Sequence, residues 1–154
     1  MRYYTMESLE NVALPPVPKG DTSEVILMPD LNNCIEADYD ARNEIISGQL
    51  KLLMEMYMPY NFSEPIIFLK EDRTSHAEFW RFKPPLFENY EAMYNNGGIV
   101  SHISFSNSRV PLIFTAKSPK GIRTVVVDTS VVNSILRRCI TGLKFTKIKE
   151  LDKD

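Results

Sequence analysis

Asp128 is the residue whose position most suggests chemistry, because a run of three valines precedes it and a Thr-Ser pair follows it. A carboxylate at the end of a buried strand can bind a divalent metal ion. Metal-dependent cleavage of a phosphodiester needs several carboxylates around that ion. Only 26 residues follow Asp128, and the acids among them, Glu150, Asp152 and Asp154, lie in the charged end of the chain. The sequence therefore indicates no complete set of metal ligands around Asp128.

The segment VVVDTSVV resembles the opening of PIN-type ribonuclease domains, in which the aspartate is the first of several metal-binding carboxylates. The same residues also fit a structural unit. Thr129 or Ser130 can cap a helix by accepting hydrogen bonds from its first amides, and Asp128 suits the positive end of the helix dipole. Gly142 can end the turn after that helix, and the alternation in 143–148 predicts a half-exposed strand. The pattern favours this strand–helix–strand unit over a nuclease site.

The other residues capable of nucleophilic or metal chemistry are isolated. His76 and His102 have no neighbouring ligand at the spacing of a metal site, and Cys34 and Cys139 form no CxxC pair. We expect Cys139 to be a buried thiol with a structural role. The sequence therefore predicts no catalytic, metal-binding or cofactor-binding residues, and no cofactor.

An acidic cluster around an aromatic side chain is the strongest candidate for binding a partner. Its members are Glu36, Asp38, Tyr39, Asp40 and Glu44. Acidic side chains can steer a basic partner, and a tyrosine can anchor it. The alternative is that the cluster is the solvated start of a helix, where negative charge is also favourable.

The apolar pattern predicts that this helix covers 38–57, because Ile46, Leu50, Leu53 and Tyr57 recur at helical spacing. A short helix is indicated at 89–95. Strands are predicted at 2–6, 25–28, 65–69, 77–82, 99–105, 110–115 and 122–127, the last two as a hairpin. Because no regular βαβ order appears, we predict an α+β fold. Its sheet is expected to be mostly antiparallel, with one longer helix in the first half and the strand–helix–strand unit at the end.

The bulk properties set limits on the fold and on the partners. The chain has 154 residues and a formal net charge of -2. This length predicts a single domain over 1–154, with a proline-rich extended connection at 11–24 and a charged tail at 149–154. Weak acidity is atypical of nucleic-acid binding, and neither a membrane-spanning run nor a signal peptide is present. We therefore expect a cytoplasmic protein that binds neither nucleic acid nor membranes.

The two ends of the chain together resemble immunity proteins of bacterial polymorphic-toxin and contact-dependent competition systems. Such proteins open with a Tyr-Tyr strand. They close with a Phe-containing strand, a Val-rich strand, a capped amphipathic helix and the motif Thr-Gly-Leu-x-Phe. The matching residues here are Tyr3 and Tyr4, Ile113 and Phe114, the three valines 125–127, the helix 130–138, and 141–145.

This resemblance implies a protein that is not an enzyme. It would bind a cognate protein toxin made by its own cell and block it through an occluding protein–protein interface. These families share a scaffold while their binding faces diverge, so the resemblance assigns no interface residues. Two alternatives stay open: a small metal- or thiol-dependent hydrolase such as a nuclease, and a phage or mobile-element accessory protein that also acts by binding.

Overall fold

The computed structural model describes residues 2–9, 24–28, 37–58, 64–106 and 109–152. The strands within these ranges are β1 (Tyr3–Ser8), β2 (Glu24–Met28), β3 (Tyr39–Asp40), β4 (Ile45–Ser47), β5 (Pro65–Lys70), β6 (His76–Arg81), β7 (Tyr90–Tyr94), β8 (Val100–Phe105), β9 (Ile113–Lys117), β10 (Arg123–Asp128), β11 (Leu143–Lys147) and β12 (Lys149–Glu150). The helices are α1 (Gly48–Met54) and α2 (Thr129–Leu136). The α+β prediction is confirmed, and antiparallel pairing dominates, with parallel pairing of β2 with β5 and of β12 with β8.

The chain divides into two compact units, each assembled from separate stretches of sequence. Unit 1 comprises Met1–Glu7, Pro84–Arg137 and Lys144–Asp154, and unit 2 comprises Ser8–Lys83 and Arg138–Leu143. The chain crosses from one unit to the other four times, so the division does not follow a single linker. The organisation of 1–154 as one domain stays a prediction.

Unit 1 contains a four-stranded sheet in the order β11-β1-β10-β9 and a three-stranded sheet in the order β12-β8-β7. In the first sheet β10 runs antiparallel to both neighbours, so that Val126 lies opposite Thr5 on one side and Phe114 on the other. The predicted hairpin of β9 and β10 is confirmed. Helix α2 directly follows β10 and buries Val131, Val132 and Ile135.

Phe114 is the centre of the aromatic core of unit 1. Its ring centroid lies 5.2 Å from that of Phe87, 5.9 Å from Tyr3 and 6.2 Å from Phe105. Ile103 and Val126 are fully buried in the same cluster, so side chains from both sheets of the unit meet there. Burying each large apolar side chain contributes about 1.5–3 kcal/mol, which makes this cluster the main stabilising element of the unit.

Unit 2 contains a five-stranded sheet in the order β2-β5-β6-β4-β3. One face carries a buried cluster that includes Ile45, Ile66, Phe68 and Phe79, and the rings of Phe68 and Phe79 meet edge to face at 5.4 Å. Alternate residues point to the other face, where the Lys51 ammonium group of α1 lies 3.8 Å from the centroid of the Trp80 ring. Helix α1 therefore packs over the part of this second face that β4 and β6 form.

The helix predicted over 38–57 is wrong in its first half. β3, a turn and β4 occupy 39–47, and the helix begins only at Gly48. Ser47 is its N-cap, because the Ser47 side chain accepts a hydrogen bond from the Leu50 amide. Asp40 accepts hydrogen bonds from backbone amides two and three residues further on, which holds the chain in a turn. The β-branched residues Ile45 and Ile46 follow this turn and pair with Arg81 and Trp80 of β6.

The short helix predicted at 89–95 is also wrong, because this segment forms β7. Tyr90, Ala92 and Tyr94 are half-buried while Glu91 and Met93 are exposed, and this two-residue period is that of a strand.

In the segment expected to be a charged tail, Lys149 and Glu150 form β12 beside β8. Residues 11–23 of the predicted proline-rich connection lie outside the described residues. No helix in the described ranges is long and apolar enough to cross a membrane.

The turn at Thr141 and Gly142 closes unit 2. Gly142 has a φ of 85°, as the sequence predicted for a left-handed stop, and its carbonyl accepts a hydrogen bond from the Leu9 amide at 2.9 Å. A Cβ added to Gly142 would lie 2.9 Å from the Cβ of Ala37 and 3.1 Å from its Cα. Glycine is therefore required here for its backbone conformation and for its lack of a side chain.

We expect Gly142→Ala to lower the free energy of unfolding by about 2–3 kcal/mol, because alanine is strained at positive φ and would contact Ala37. Gly48→Ala is the matched control. A Cβ at Gly48 meets nothing within 4 Å, and alanine at a helix start should leave stability unchanged or raise it by up to about 1 kcal/mol. Urea unfolding of both variants measures the difference. Equal stabilities would contradict the role given to Gly142.

Candidate functional site

Most of the residues predicted to contact a partner lie in or beside the turn that joins β3 and β4. Glu36 lies outside the described residues. Tyr39 is 3% exposed and Asp40 is 2% exposed. The ring of Tyr39 meets that of Phe82 edge to face, with 6.0 Å between centroids. Tyr39 is therefore a core residue of unit 2 and does not provide the exposed aromatic anchor that the sequence suggested.

Asp40 shapes the turn. Its carboxylate accepts hydrogen bonds from the amides of Arg42 and Asn43 at 3.0 and 3.3 Å and from Nδ2 of Asn43 at 2.7 Å. Glu44 ends the turn with a φ of 55°, and its carboxylate lies 3.8 Å from Nζ of Lys83. The Glu44 carbonyl also accepts a hydrogen bond from the Phe82 amide at 2.7 Å. Asp40 thus shapes the β3–β4 turn from within, and Glu44 joins the turn to the two residues that follow β6.

Asp38 joins two parts of unit 2. Its carboxylate accepts hydrogen bonds from the Ser47 hydroxyl at 2.5 Å and from the Thr141 amide at 2.7 Å. Its own amide donates to the Thr141 carbonyl at 3.0 Å. Asp38 thus links the residue that caps α1 to the turn that contains Gly142. Partner binding by the 36–44 segment stays a prediction, while the structure gives Asp38, Tyr39 and Asp40 roles inside the unit.

Asp128 is the N-cap of α2. Its side chain is 0% exposed and accepts hydrogen bonds from the Ser130 amide at 2.9 Å, from the Ser130 hydroxyl at 2.6 Å and from Nε of Arg2. Burial alone raises the pKa of Asp128, but the hydrogen bonds from Arg2 and Ser130 outweigh it and hold the pKa below the ordinary value. The prediction that Thr129 or Ser130 caps the helix is wrong, because Asp128 does so.

The remaining candidates for chemistry lie apart from one another. Cys139 is exposed, so its prediction as a buried thiol is wrong. The reason is that α2 ends at Leu136, and Cys139 lies in the turn that follows. His102 Nδ1 lies 3.0 Å from the Ser101 hydroxyl, and His76 is exposed on β6. Across the described ranges, no group of three or more His, Cys, Asp or Glu side chains could hold a metal ion.

An exposed apolar surface on unit 2 was not found from the sequence. Val25 and Leu27 of β2 are 61% and 57% exposed, and their partners in register on β5 are Ile67 and Leu69, which are half-buried. We call these four residues the β2 surface. A continuous apolar run such as 25–28 normally indicates a strand buried on both faces, so its exposure cannot be read from the local pattern.

The two units differ in formal charge. Among the described residues, unit 2 contains 7 basic and 9 acidic residues, a net charge of -2, whereas unit 1 contains 9 basic and 6 acidic residues, a net charge of +3. The overall charge of -2 conceals this difference. Charge concentrated in this way affects the rate and the selectivity with which charged partners associate.

Asp128 should make stability depend on pH. Because its folded pKa is lowered, the ionised carboxylate stabilises the fold fully above the ordinary pKa of 3.8, and this contribution is lost as pH falls through the folded pKa. Asp128→Asn keeps a capping side chain without the charge. At pH 7 the wild type should therefore unfold at a higher urea concentration than this variant, and the difference between their midpoints should shrink below pH 4. Asp128→Ala should lose about 1–2 kcal/mol for the cap. A difference between wild type and Asp128→Asn that does not change with pH would exclude this role.

Asp38→Ala distinguishes a structural carboxylate from a steering one. Loss of its two hydrogen bonds should lower the free energy of unfolding by about 2 kcal/mol, because bonds to charged groups are stronger than neutral ones. Glu71→Ala changes the same charge at an exposed site of unit 2 and should stay within about 0.5 kcal/mol of wild type. Thermal or urea unfolding measures both variants. An Asp38→Ala protein as stable as Glu71→Ala would show that these hydrogen bonds contribute little.

No protein-family model and no curated protein matches this chain.

Proposed function

We propose that this protein is an immunity protein, which binds a cognate bacterial toxin and neutralises it by occluding a surface that the toxin needs. The proposal rests on the resemblance of the two chain ends to such proteins. It assigns no catalytic step to this chain.

One observation supports the proposal most. The resemblance lies on four strand segments, one at the start of the chain and three within 113–147, and these are the four strands of one sheet. Tyr3 and Tyr4 lie on β1, opposite Asp128 and Val127 of β10, and Phe114 lies opposite Val126 of β10. Leu143 and Phe145 lie on β11, on the other side of β1. Because β1 and β10 come from distant parts of the chain, their pairing joins the two ends that carry the resemblance in one sheet, to which α2 is attached.

The nuclease alternative has less support, because the carboxylate on which it depends is already engaged. Asp128 is fully buried, and Arg2 and Ser130 donate hydrogen bonds to it. A metal-binding carboxylate needs free oxygen lone pairs directed at the ion. For Asp128 to bind a metal, the cap of α2 would have to open.

Neutralisation by occlusion needs a surface that recognises one partner and rejects others. The net charge of -2 on the described residues of unit 2 favours a basic toxin surface, since complementary charge accelerates association and like charge suppresses wrong partners. The 36–44 segment, first suggested as the contact region, belongs to this unit.

The proposal is tested by co-expression. Each open reading frame next to this gene is induced in a host cell with and without the protein, and growth is followed. Growth should be restored against one of them, and the two proteins should purify together in a fixed stoichiometry. A copy of the gene with an early stop codon is the control. Failure of rescue against every adjacent reading frame would overturn the proposal.

A further inference from the structure

The turn between β7 and β8 contains a pair of residues that can react with each other. Its sequence is Asn95-Asn96-Gly97-Gly98, and the structure describes every residue from 64 to 106 around it. Asn96 and Gly97 are both exposed. An asparagine followed by glycine can modify itself, because glycine has no side chain to keep its amide nitrogen away from the asparagine side chain. The pair is therefore a candidate modification site in unit 1.

The reaction consumes only water and releases ammonia. When the Gly97 amide loses its proton, the lone pair of the nitrogen can attack Cγ of Asn96 and close a five-membered succinimide ring, a step favoured because both groups belong to one chain. The bond from Cγ to Nδ2 breaks, and Nδ2 leaves as ammonia with the proton. Water then opens the ring. Opening at Cγ gives aspartate, whereas opening at the main-chain carbonyl carbon gives isoaspartate.

Asn95 binds the proton that this reaction must remove. The Gly97 amide donates to Oδ1 of Asn95 at 2.9 Å, and the Ile99 amide donates to the same oxygen at 3.0 Å. The Gly98 amide also donates to the Asn95 carbonyl at 3.0 Å, which closes the turn. A hydrogen-bonded amide loses its proton slowly until the bond opens. The Asn95 side chain therefore keeps the Gly97 nitrogen in its unreactive form.

The shape of the turn requires glycine at 98 but not at 97. Gly98 has a φ of 79°, and a Cβ added to it would lie 2.8 Å from Cγ1 of Ile122. Gly97 does not have a positive φ, and a Cβ there would lie 3.4 Å from Oδ1 of Asn95, which is an ordinary contact. Backbone conformation and packing thus account for Gly98. They give no reason for the reactive pair of Asn96 and Gly97.

The turn between β9 and β10 has the same hydrogen bonds with different residues. The Gly121 amide donates to the Ser118 carbonyl at 2.9 Å, and the Ile122 amide donates to the Ser118 hydroxyl at 3.1 Å. Gly121 has a φ of 85°, like Gly98 in the first turn. The two residues between them are Pro119 and Lys120. A turn of this kind can therefore form around residues that cannot deamidate.

Modification of Asn96 would affect the packing of these two turns. Gly98 lies so close to Ile122 that the first turn has no room to expand toward the β9–β10 hairpin. Isoaspartate lengthens the main chain by one carbon at position 96, whereas aspartate leaves its length unchanged. Isoaspartate should therefore loosen the contact between Gly98 and Ile122, and aspartate should add only a charge at an exposed position.

We propose that Asn96 is a site of spontaneous deamidation and that Asn95 sets the rate by holding the Gly97 amide. The reaction begins when the hydrogen bond between the Gly97 amide and Oδ1 of Asn95 opens. Asn95 is a positioning residue in this scheme, since it forms no bond to the reacting carbon. The inference goes beyond the proposed function and does not depend on it, because no partner takes part.

The test incubates the full chain at neutral and at mildly alkaline pH and follows Asn96 by peptide mass spectrometry, with isoaspartate detected by enzymatic methylation. Asn95→Ala removes the accepting oxygen and should deamidate about fivefold faster than wild type. That ratio corresponds to about 1 kcal/mol, the usual net contribution of one hydrogen bond. Asn95→Asp keeps an accepting oxygen and should deamidate no faster than wild type.

Two further measurements report on the proton itself. Hydrogen exchange of the Gly97 amide should be faster in Asn95→Ala than in the wild type and in Asn95→Asp, because exchange removes the same proton. Deamidation should be faster at the higher pH in every variant, since loss of that proton starts the reaction.

The controls separate the reactive pair from the turn around it. Gly97→Ala fits the turn and shields the nitrogen with a methyl group, so it should deamidate several-fold more slowly than wild type. Asn133→Ala removes an exposed carboxamide on α2 of the same unit and should leave the rate at Asn96 unchanged. The chain unfolded in urea gives the rate without the turn. Circular dichroism confirms that each variant is folded.

Three results would overturn the inference. Equal rates in the wild type and Asn95→Ala would show that Asn95 does not protect the site. Equal rates in Asn95→Asp and Asn95→Ala would show that the accepting oxygen has no part in the protection. An Asn96 that stays intact in folded Asn95→Ala while the unfolded chain is converted would exclude the site. The immunity function stands or falls separately, because growth rescue tests it.

Discussion

The backbone at Gly142 passes so close to Ala37 that no side chain fits between them, and unit 2 depends on this contact. Three hydrogen bonds surround this contact. The Thr141 amide donates to the Asp38 carboxylate, the Asp38 amide donates to the Thr141 carbonyl, and the Leu9 amide donates to the Gly142 carbonyl. Three segments distant in sequence are thereby fixed at one point. The Ser47 cap of α1 is attached to the same point through Asp38, so the start of the helix is held there too.

This contact gives physical meaning to the Thr-Gly-Leu-x-Phe motif on which the family resemblance partly depends. Thr141 supplies an amide for a carboxylate, Gly142 supplies a positive φ and the absence of a side chain, and Leu143 begins β11. None of these tasks is catalytic, and none presents a surface to a partner. The motif therefore belongs to the scaffold, which is consistent with families that keep one scaffold and vary their binding faces.

Local patterns predicted those parts of the fold in which one signal dominated. The β9–β10 hairpin, helix α2 and the glycine stop were recognised because the turn residues and the apolar period agreed there, although the cap of α2 is Asp128 and not Thr129 or Ser130. The helix prediction for 38–57 was wrong in its first half because the apolar residues there have helical spacing. That spacing takes no account of Asp40, whose carboxylate binds backbone amides and so forms a turn. The helix prediction for 89–95 was also wrong. Its half-buried and exposed residues alternate as in a strand, but the residue types alone do not show that Tyr90 and Tyr94 lie on the same face.

The candidate site was harder to predict than the fold, because exposure is a tertiary property. Asp40 and Tyr39 look like surface residues by type, yet the turn and the Phe82 ring enclose them. Val25 and Leu27 look like core residues by type, yet their strand lies at an edge. The position of β2 in the strand order and the contacts around the β3–β4 turn reverse these two assignments, and no local pattern contains either of them.

The discontinuous assembly of both units has a consequence for biosynthesis. A ribosome releases the chain from its N-terminus, but β1 pairs with β10, and unit 2 is completed by residues 138–143. Neither unit can therefore reach its final structure until residues 138–147 have been made. Contacts of such long sequence separation also slow folding. The last-made strand and turn thus act as the closing step of folding for both units.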